Sequence, residues 1–192
     1  ALIDMRILAP YDGFVGEDYP APLLETCRLD GQSRYYAVPW HVDFRMIYYA
    51  DRLTANPDDL LEYESFADCL RRRQDQMRGS SDSEWEAPLA LGITRNEWDI
   101  LHNTLNWAFG GRIVERRGRQ WVAVFGEPEQ AAGVQRLLAL RNVGLIRFVE
   151  ADKARGEQEW MTLARGIVEG KHDVVLGGPY MRVAFTDRPD VK

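Results

Sequence analysis

The apolar residues of this chain recur with two periods, and the alternation between the two periods lays out its elements. Around residues 94–111, Trp98, Leu101, Leu105 and Ala108 fall three and four positions apart, with Phe109 beside them. That spacing makes one stripe on a helix, with Asp99, Asn103 and Asn106 on the opposite side. Thr94 and Glu97 form a capping box at its start, and Gly110 and Gly111 end it. A second helix is signalled by Asn56 as a cap, Pro57 at the first helical position and Asp58 and Asp59 near the positive end of the dipole. Leu60, Tyr63, Ala67 and Leu70 then make its stripe, and Arg71, Arg72, Arg73 and Arg78 gather toward its end. Two more helices follow, one from Pro128 with Val134, Leu137, Leu138 and Arg141 on one side, the other carrying Trp160, Leu163, Ala164 and Ile167 and stopping near Gly170.

Between these segments the pattern shortens to strands. Residues 5–9 read as a first strand, and 24–29 and 33–38 as a hairpin about Asp30-Gly31, a dipeptide suited to tight turns. Residues 112–116 and 120–125 read as a second hairpin. Trp121-Val122-Ala123-Val124-Phe125 is apolar on both faces, which predicts a strand covered on both sides. Residues 145–149, 173–176 and 181–185 complete the set, the last two flanking Gly177-Gly178-Pro179. The aromatic run 44–53 fits strand or helix, and we read it as a short helix.

This order predicts an α+β fold. The C-terminal half, β-β-α-β-α-β-β, makes a mixed β-sheet with helices packed on it, its strand-helix-strand units forming parallel crossovers. The N-terminal half holds the first hairpin and helices. The expected organisation is an N-terminal region over 1–79, a connecting loop over 80–93 marked by Gly79-Ser80-Ser81, and an α/β region over 94–192, or one continuous domain.

Composition adds limits. With 192 residues, 45% of them hydrophobic, the chain can bury a core without staples. No stretch approaches the ~20 apolar residues of a membrane helix, and the first ten residues are too short and too weakly basic for a secretory signal. Cys27 and Cys69 form no metal or disulfide pattern and read as buried free thiols. A reducing, cytoplasmic setting is the expectation. Residues 1–93 carry 17 acidic and 9 basic side chains, and residues 94–192 carry 13 and 15. The net charge of −6 disfavours general nucleic-acid binding.

Four places could carry chemistry. In Trp40-His41-Val42-Asp43-Phe44-Arg45, extended backbone would put His41 and Asp43 on one face, able to orient a base or hold a polar ligand with Arg45. The plainer reading is a surface pair beside Pro39. The turn Phe125-Gly126-Glu127-Pro128 joins strand to helix as an anion site would, but Glu127 opposes an anion and Pro128 lacks a donor. The tail Leu176-Gly177-Gly178-Pro179-Tyr180-Met181-Arg182 lets backbone approach a ligand, with Arg182 to pair a carboxylate or phosphate, or is simply a turn. Arg112, Arg116, Arg117 and Arg119 make a basic hairpin tip. Of the remaining histidines, His102 reads as a packing residue and His172 as part of a solvated helix exit. No metal spacing, GxSxG elbow or nucleotide-binding glycine motif occurs, so no metal or cofactor is expected and the sequence assigns no catalytic residue.

The leading expectation is an interaction or regulatory protein without enzymatic activity. It would bind a protein partner or a second copy through aromatics such as Trp40, Tyr48 and Tyr49 and through Arg116 and Arg117. A binding protein or enzyme for a small polar ligand near His41, Asp43 and Arg45 is the first alternative. A nucleic-acid-associated factor using the arginines of 112–119 is the second.

Overall fold

The structure, a computed structural model, describes residues 9–10, 19–28, 33–38, 45–80, 84–92, 106–108, 110–118, 120–124, 126–128 and 131–192. The chain divides into two compact units, Ala1–Asp43 and Phe44–Lys192.

In the first unit, α1 spans Ala21–Thr26 with a proline in its first turn, where a missing N–H leaves no bond unmade. The chain then turns back on itself. The Tyr36 N–H donates to the Cys27 carbonyl at 2.8 Å, and Arg28 and Tyr35 form an isolated antiparallel bridge. The expected reversal is therefore present, but its first arm is helical over Leu24, Glu25 and Thr26 rather than extended. The Asp30-Gly31 turn and the first strand, apart from Ala9, lie outside the described residues.

The second unit runs β1 (Met46–Tyr49), a 3-10 turn (Pro57–Leu60), α2 (Tyr63–Met77), β2 (Leu89–Gly92), β3 (Val114–Arg117) and β4 (Gln120–Ala123). It continues through α3 (Ala132–Asn142), β5 (Ile146–Val149), a 3-10 turn (Lys153–Arg155), α4 (Glu159–Val168), β6 (Val174–Gly177) and a 3-10 segment (Pro179–Phe185). Four strands form one sheet in the order β1-β6-β2-β5. β2 is parallel to both β5 and β6, and β1 is antiparallel to β6. On one face, Leu89, Leu91, Val174 and Leu176 pack with Phe66, Ala67 and Leu70 of α2 and Leu137 and Leu140 of α3. On the other, Tyr48, Ala90 and Val175 pack with Leu163, Ala164 and Ile167 of α4 and with Met181 and Phe185. The connections from β2 to β5 and from β5 to β6 run in opposite directions across the sheet, with α3 and α4 on opposite faces. That is the arrangement that gives both crossovers the same hand. The α+β class and the mixed sheet read from the sequence are what the structure has.

Several elements differ from the sequence reading. Residues 46–49, within the run expected as a short helix, form the edge strand β1; Ile47 is exposed while Tyr48 and Tyr49 are buried. Leu89–Gly92, inside the stretch expected as a connecting loop, is a fully buried strand between β5 and β6. Within the 120–125 run, residues 120–123 form a strand, but β3 and β4 make a separate two-stranded sheet, and Trp121 is 72% exposed. The expected covering on both faces is absent because β2 fills the central position instead. The Asn56 side chain accepts from the Asp58 N–H at 3.2 Å as a cap does, but over a single 3-10 turn, and α2 restarts at Tyr63. Met181 and Phe185, expected in a strand, lie on a 3-10 segment opened by Pro179, and both turn into the core. Asn106, assigned to the polar side of its helix, is buried against Gly133, whereas Ala108 is exposed. His172, expected at a solvated helix exit, is buried beneath α4, its ring against Gly166. The start of the Thr94 helix and His102 lie outside the described residues.

Candidate functional site

Three parallel strands end at one edge of the large sheet, and in open α/β sheets ligands bind beyond that carboxyl edge. β2 delivers Gly92 there, beside Val149 at the end of β5. β6 delivers Gly177 and Gly178. β1 runs the other way, so it begins at this edge, with Met46 opposite Gly177 and Arg45 just before it.

The edge is closely built. Glu159, in the first turn of α4 where the helix dipole favours a carboxylate, is buried and lies over Gly92. A Cβ at position 92 would stand 1.3 Å from its Oε1, so only glycine leaves room for this side chain. The Tyr48 hydroxyl donates to the Gly178 carbonyl at 3.0 Å, fixing the turn after β6. Burial pushes the Tyr48 phenol above its ordinary pKa, opposed by the nearby charge of Arg182 and a backbone hydrogen bond. The turn then places the Tyr180 ring against the edge of Trp160, centroids 5.7 Å apart and planes at 73°. The Trp160 indole N–H donates to Gln158 Oε1 at 2.8 Å. Tyr180 remains 43% exposed. Between these rings, Glu159 and Met181 lies a cleft of about 10 Å³, room for about one water. On the opposite face of the same edge, a mostly apolar hollow of about 180 Å³ is lined by Arg45, Ile47, Glu62, Tyr63, Phe66 and Leu176.

Of the residues singled out from sequence, Arg45 and Arg182 come to this same end of the sheet, Arg45 lining the hollow and Arg182 exposed on the 3-10 segment. Trp40, His41 and Asp43 lie outside the described residues. Tyr48 and Tyr49 are core rings rather than surface ones. Arg116 and Arg117 sit on the separate ribbon, where Arg117 holds Glu127 at 2.6 Å and Glu115 at 3.5 Å. Of the turn read at 125–128, Phe125 lies outside the described residues, and α3 begins at Ala132 rather than at Pro128. Glu159, Trp160 and Gly92 were not legible as site residues. The sequence marks Trp160 only as a helix-core position, and the signals that point here are the Gly177-Gly178-Pro179-Tyr180 turn, Arg182 and Arg45. Among the described residues, no three His, Cys, Asp or Glu side chains are placed to hold a metal ion, and no helix is long and apolar enough to cross a membrane.

No family model matches the chain, and no curated protein matches it in sequence. In fold it is similar to 381 solved chains. One is the GacH receptor of Streptomyces glaucescens, solved unliganded and in complex with acarbose and an acarbose homologue. The two share 16% identity at a TM-score of 0.61, over 100% of this chain and 47% of the receptor. The chain thus spans about half of that receptor's length, and the likeness is one of fold.

Proposed function

We propose that the second unit binds a small, polar, hydroxyl-rich ligand at the carboxyl edge of its sheet. The observation that carries this reading is the Trp160–Tyr180 ring pair, partly exposed beside the buried Glu159 carboxylate. A ring face beside a carboxylate suits the alternating C–H and O–H surface of a sugar: the ring takes the apolar side and the carboxylate accepts from hydroxyls. Gly92 and Gly178 leave room at the same edge for the Glu159 and Tyr180 side chains that lie over them. The fold likeness to a receptor that holds acarbose supports the same ligand class. Arg45 and Arg182 add cations at the rim, in keeping with the small-polar-ligand alternative read from the sequence, now centred on the turn after β6.

The test is a titration of the chain with acarbose and with maltose, followed by calorimetry and tryptophan fluorescence. A saturable signal is expected with at least one of them. Tyr180→Ala should weaken it about tenfold, which is about 1.4 kcal/mol, and leave the urea midpoint unchanged. No saturable signal up to millimolar sugar, or binding indifferent to Tyr180→Ala, would remove the support for this reading.

A further inference from the structure

The outer edge of β1 is filled along only part of its length. The Tyr49 N–H donates to the Lys192 carbonyl at 3.0 Å, and the Lys192 N–H donates back to the Tyr49 carbonyl at 2.8 Å, with Ala50 and Val191 bridged beside them. The Ala50 N–H turns the other way, to the Asp173 carbonyl at 2.9 Å. Backbone groups alternate in direction along an antiparallel strand, so those of Tyr48 face β6 and those of Ile47 face outward, as those of Tyr49 do. Among the described residues, pairing on that side stops at Tyr49, which leaves the N–H and C=O of Ile47 open. Edges of natural sheets are commonly blunted by charge, proline or a bulge, yet Met46-Ile47-Tyr48-Tyr49 holds no charged residue and no proline.

The hollow of about 180 Å³ lies beside this open stretch. Ile47 stands opposite Leu176, and both line the hollow from the sheet. Leu60, Leu61, Tyr63 and Phe66 line it from α2 and the segment leading into that helix. Of the lining residues only Arg45 and Glu62 are charged, one of each sign, so the hollow selects a neutral guest rather than an ionic one. An apolar cavity of roughly 150 Å³ admits benzene, which gives this hollow room for one phenyl ring. In an added strand, the residue paired with Ile47 projects from the same face as Ile47, the face on which the hollow lies.

We propose that the open stretch of β1 docks an extended segment of a partner protein, antiparallel to β1 and in line with residues 190–192, with a phenylalanine opposite Ile47 that fills the hollow. The open backbone groups select a strand, and the hollow selects the ring that the strand carries. A helix keeps its own backbone groups paired and has none to offer Ile47. A small apolar molecule would fill the hollow and leave those groups unmet. The surface lies on the face of the sheet opposite Glu159 and Tyr180, and the two proposals stand or fall separately.

The experiment uses the full chain and a fluorescein-labelled peptide in which valine, phenylalanine and valine alternate with threonine. One control peptide has serine in place of phenylalanine. Another is N-methylated at phenylalanine, which removes the N–H that meets the Ile47 carbonyl. Fluorescence anisotropy is expected to rise saturably with the first peptide, and each control should bind at least about tenfold more weakly. Ala108→Phe, which fills the hollow from its own wall, should weaken binding about tenfold and leave the urea midpoint unchanged. Ile47→Pro, which removes an N–H that makes no bond to β6, should weaken it likewise. Amide exchange at Ile47 should slow in the complex. No saturable binding overturns the proposal, and so does binding that survives the serine peptide, the N-methylated peptide or Ala108→Phe. A dimer seen by light scattering and broken by Ile47→Pro would assign the edge to a second copy and overturn it as well.

Discussion

Arg73 Nε lies 3.0 Å from Asp173 Oδ2, joining two residues 100 positions apart in the chain. Asp173 is fully buried at the start of β6, and its carboxylate also accepts from the Trp85 indole N–H at 3.0 Å and from the Arg52 guanidinium. Arg52 reaches on to the His172 carbonyl at 2.9 Å. One carboxylate thus ties the turn after β1, the middle of α2 and the approach to β2 to the central strand pair. Removing it leaves two guanidiniums facing an empty, largely buried position, and breaking a buried pair costs about 3–5 kcal/mol. Asp173→Ala should lower the unfolding free energy in urea by that amount without changing the slope of the transition. A loss of less than about 1 kcal/mol, the scale of a surface pair, would show that the cluster does not hold these elements together.

His172, next in the chain, sets an expected pH dependence. Burial lowers its pKa, while Glu86, the Ala87 backbone and Asp173 pull it up and Lys171 pushes it down. The folded imidazole therefore resists a proton that the unfolded one takes up near its ordinary value of about 6.5. The stabilisation is fully present above that value and is lost as pH falls through it toward the folded pKa. The depressed carboxylates act lower on the scale. Asp190, pulled down to about 2 by its hydrogen bond from Arg188, and Glu169, pulled down by its bond from Lys171, lose their contributions only below the ordinary carboxylate range. Urea midpoints measured from about pH 7 to pH 5 should fall for the native chain, and His172→Asn should flatten that slope. A slope unchanged in the variant would assign the pH dependence to other groups.

The two thiols offer a probe of each unit. Cys27 and Cys69 are both free and buried, as the sequence led us to expect. Burial pushes the Cys69 thiol up, with Asp59 adding to the shift and the Arg72 guanidinium opposing it. Thiolate is the reactive form, so both burial and protonation protect this group. Labelling by an aromatic disulfide reagent should be slow for both in native buffer and fast in urea. Prompt native labelling of Cys69 would contradict its place in the core beneath β2.

Two helices of this fold were legible because their signals are local. The stripe through Ala67 and Leu70, and the one through Leu163, Ala164 and Ile167, read correctly as the buried faces of α2 and α4. The strands were read less well, because a strand's burial is set by neighbours far along the chain. Leu89-Ala90-Leu91-Gly92 contains no β-branched or aromatic residue, yet it occupies the centre of the sheet, where apolar bulk and a glycine that clears Glu159 decide the fit. Trp121-Val122-Ala123 has the stronger β propensity and lies on the outside. The site was harder still. Glu159 and Gly92 are 67 positions apart along the chain, and nothing short of the β2–β5–β6 topology brings them together. Tyr180 was within reach because the glycine pair and proline before it mark a turn by their own backbone chemistry.

That contrast between the two apolar strands can be measured directly. Leu89 has no exposed surface and packs within the cluster beneath α2 and α3, so Leu89→Ala removes buried methyl groups and leaves a cavity. The expected loss is about 2–5 kcal/mol. Trp121 is the larger side chain, and its truncation would be the more damaging of the two if the sequence-based order of strands were right. In the ribbon it is mostly in water, so Trp121→Ala should change the stability of the second unit by no more than about 0.5 kcal/mol. The comparison is made by urea unfolding of both variants, followed by circular dichroism so that tryptophan fluorescence is not itself the probe. A large loss from Trp121→Ala with a small one from Leu89→Ala would place the 120–125 strand back in the core and move the carboxyl edge, with Gly92 and Glu159, away from the centre of the sheet.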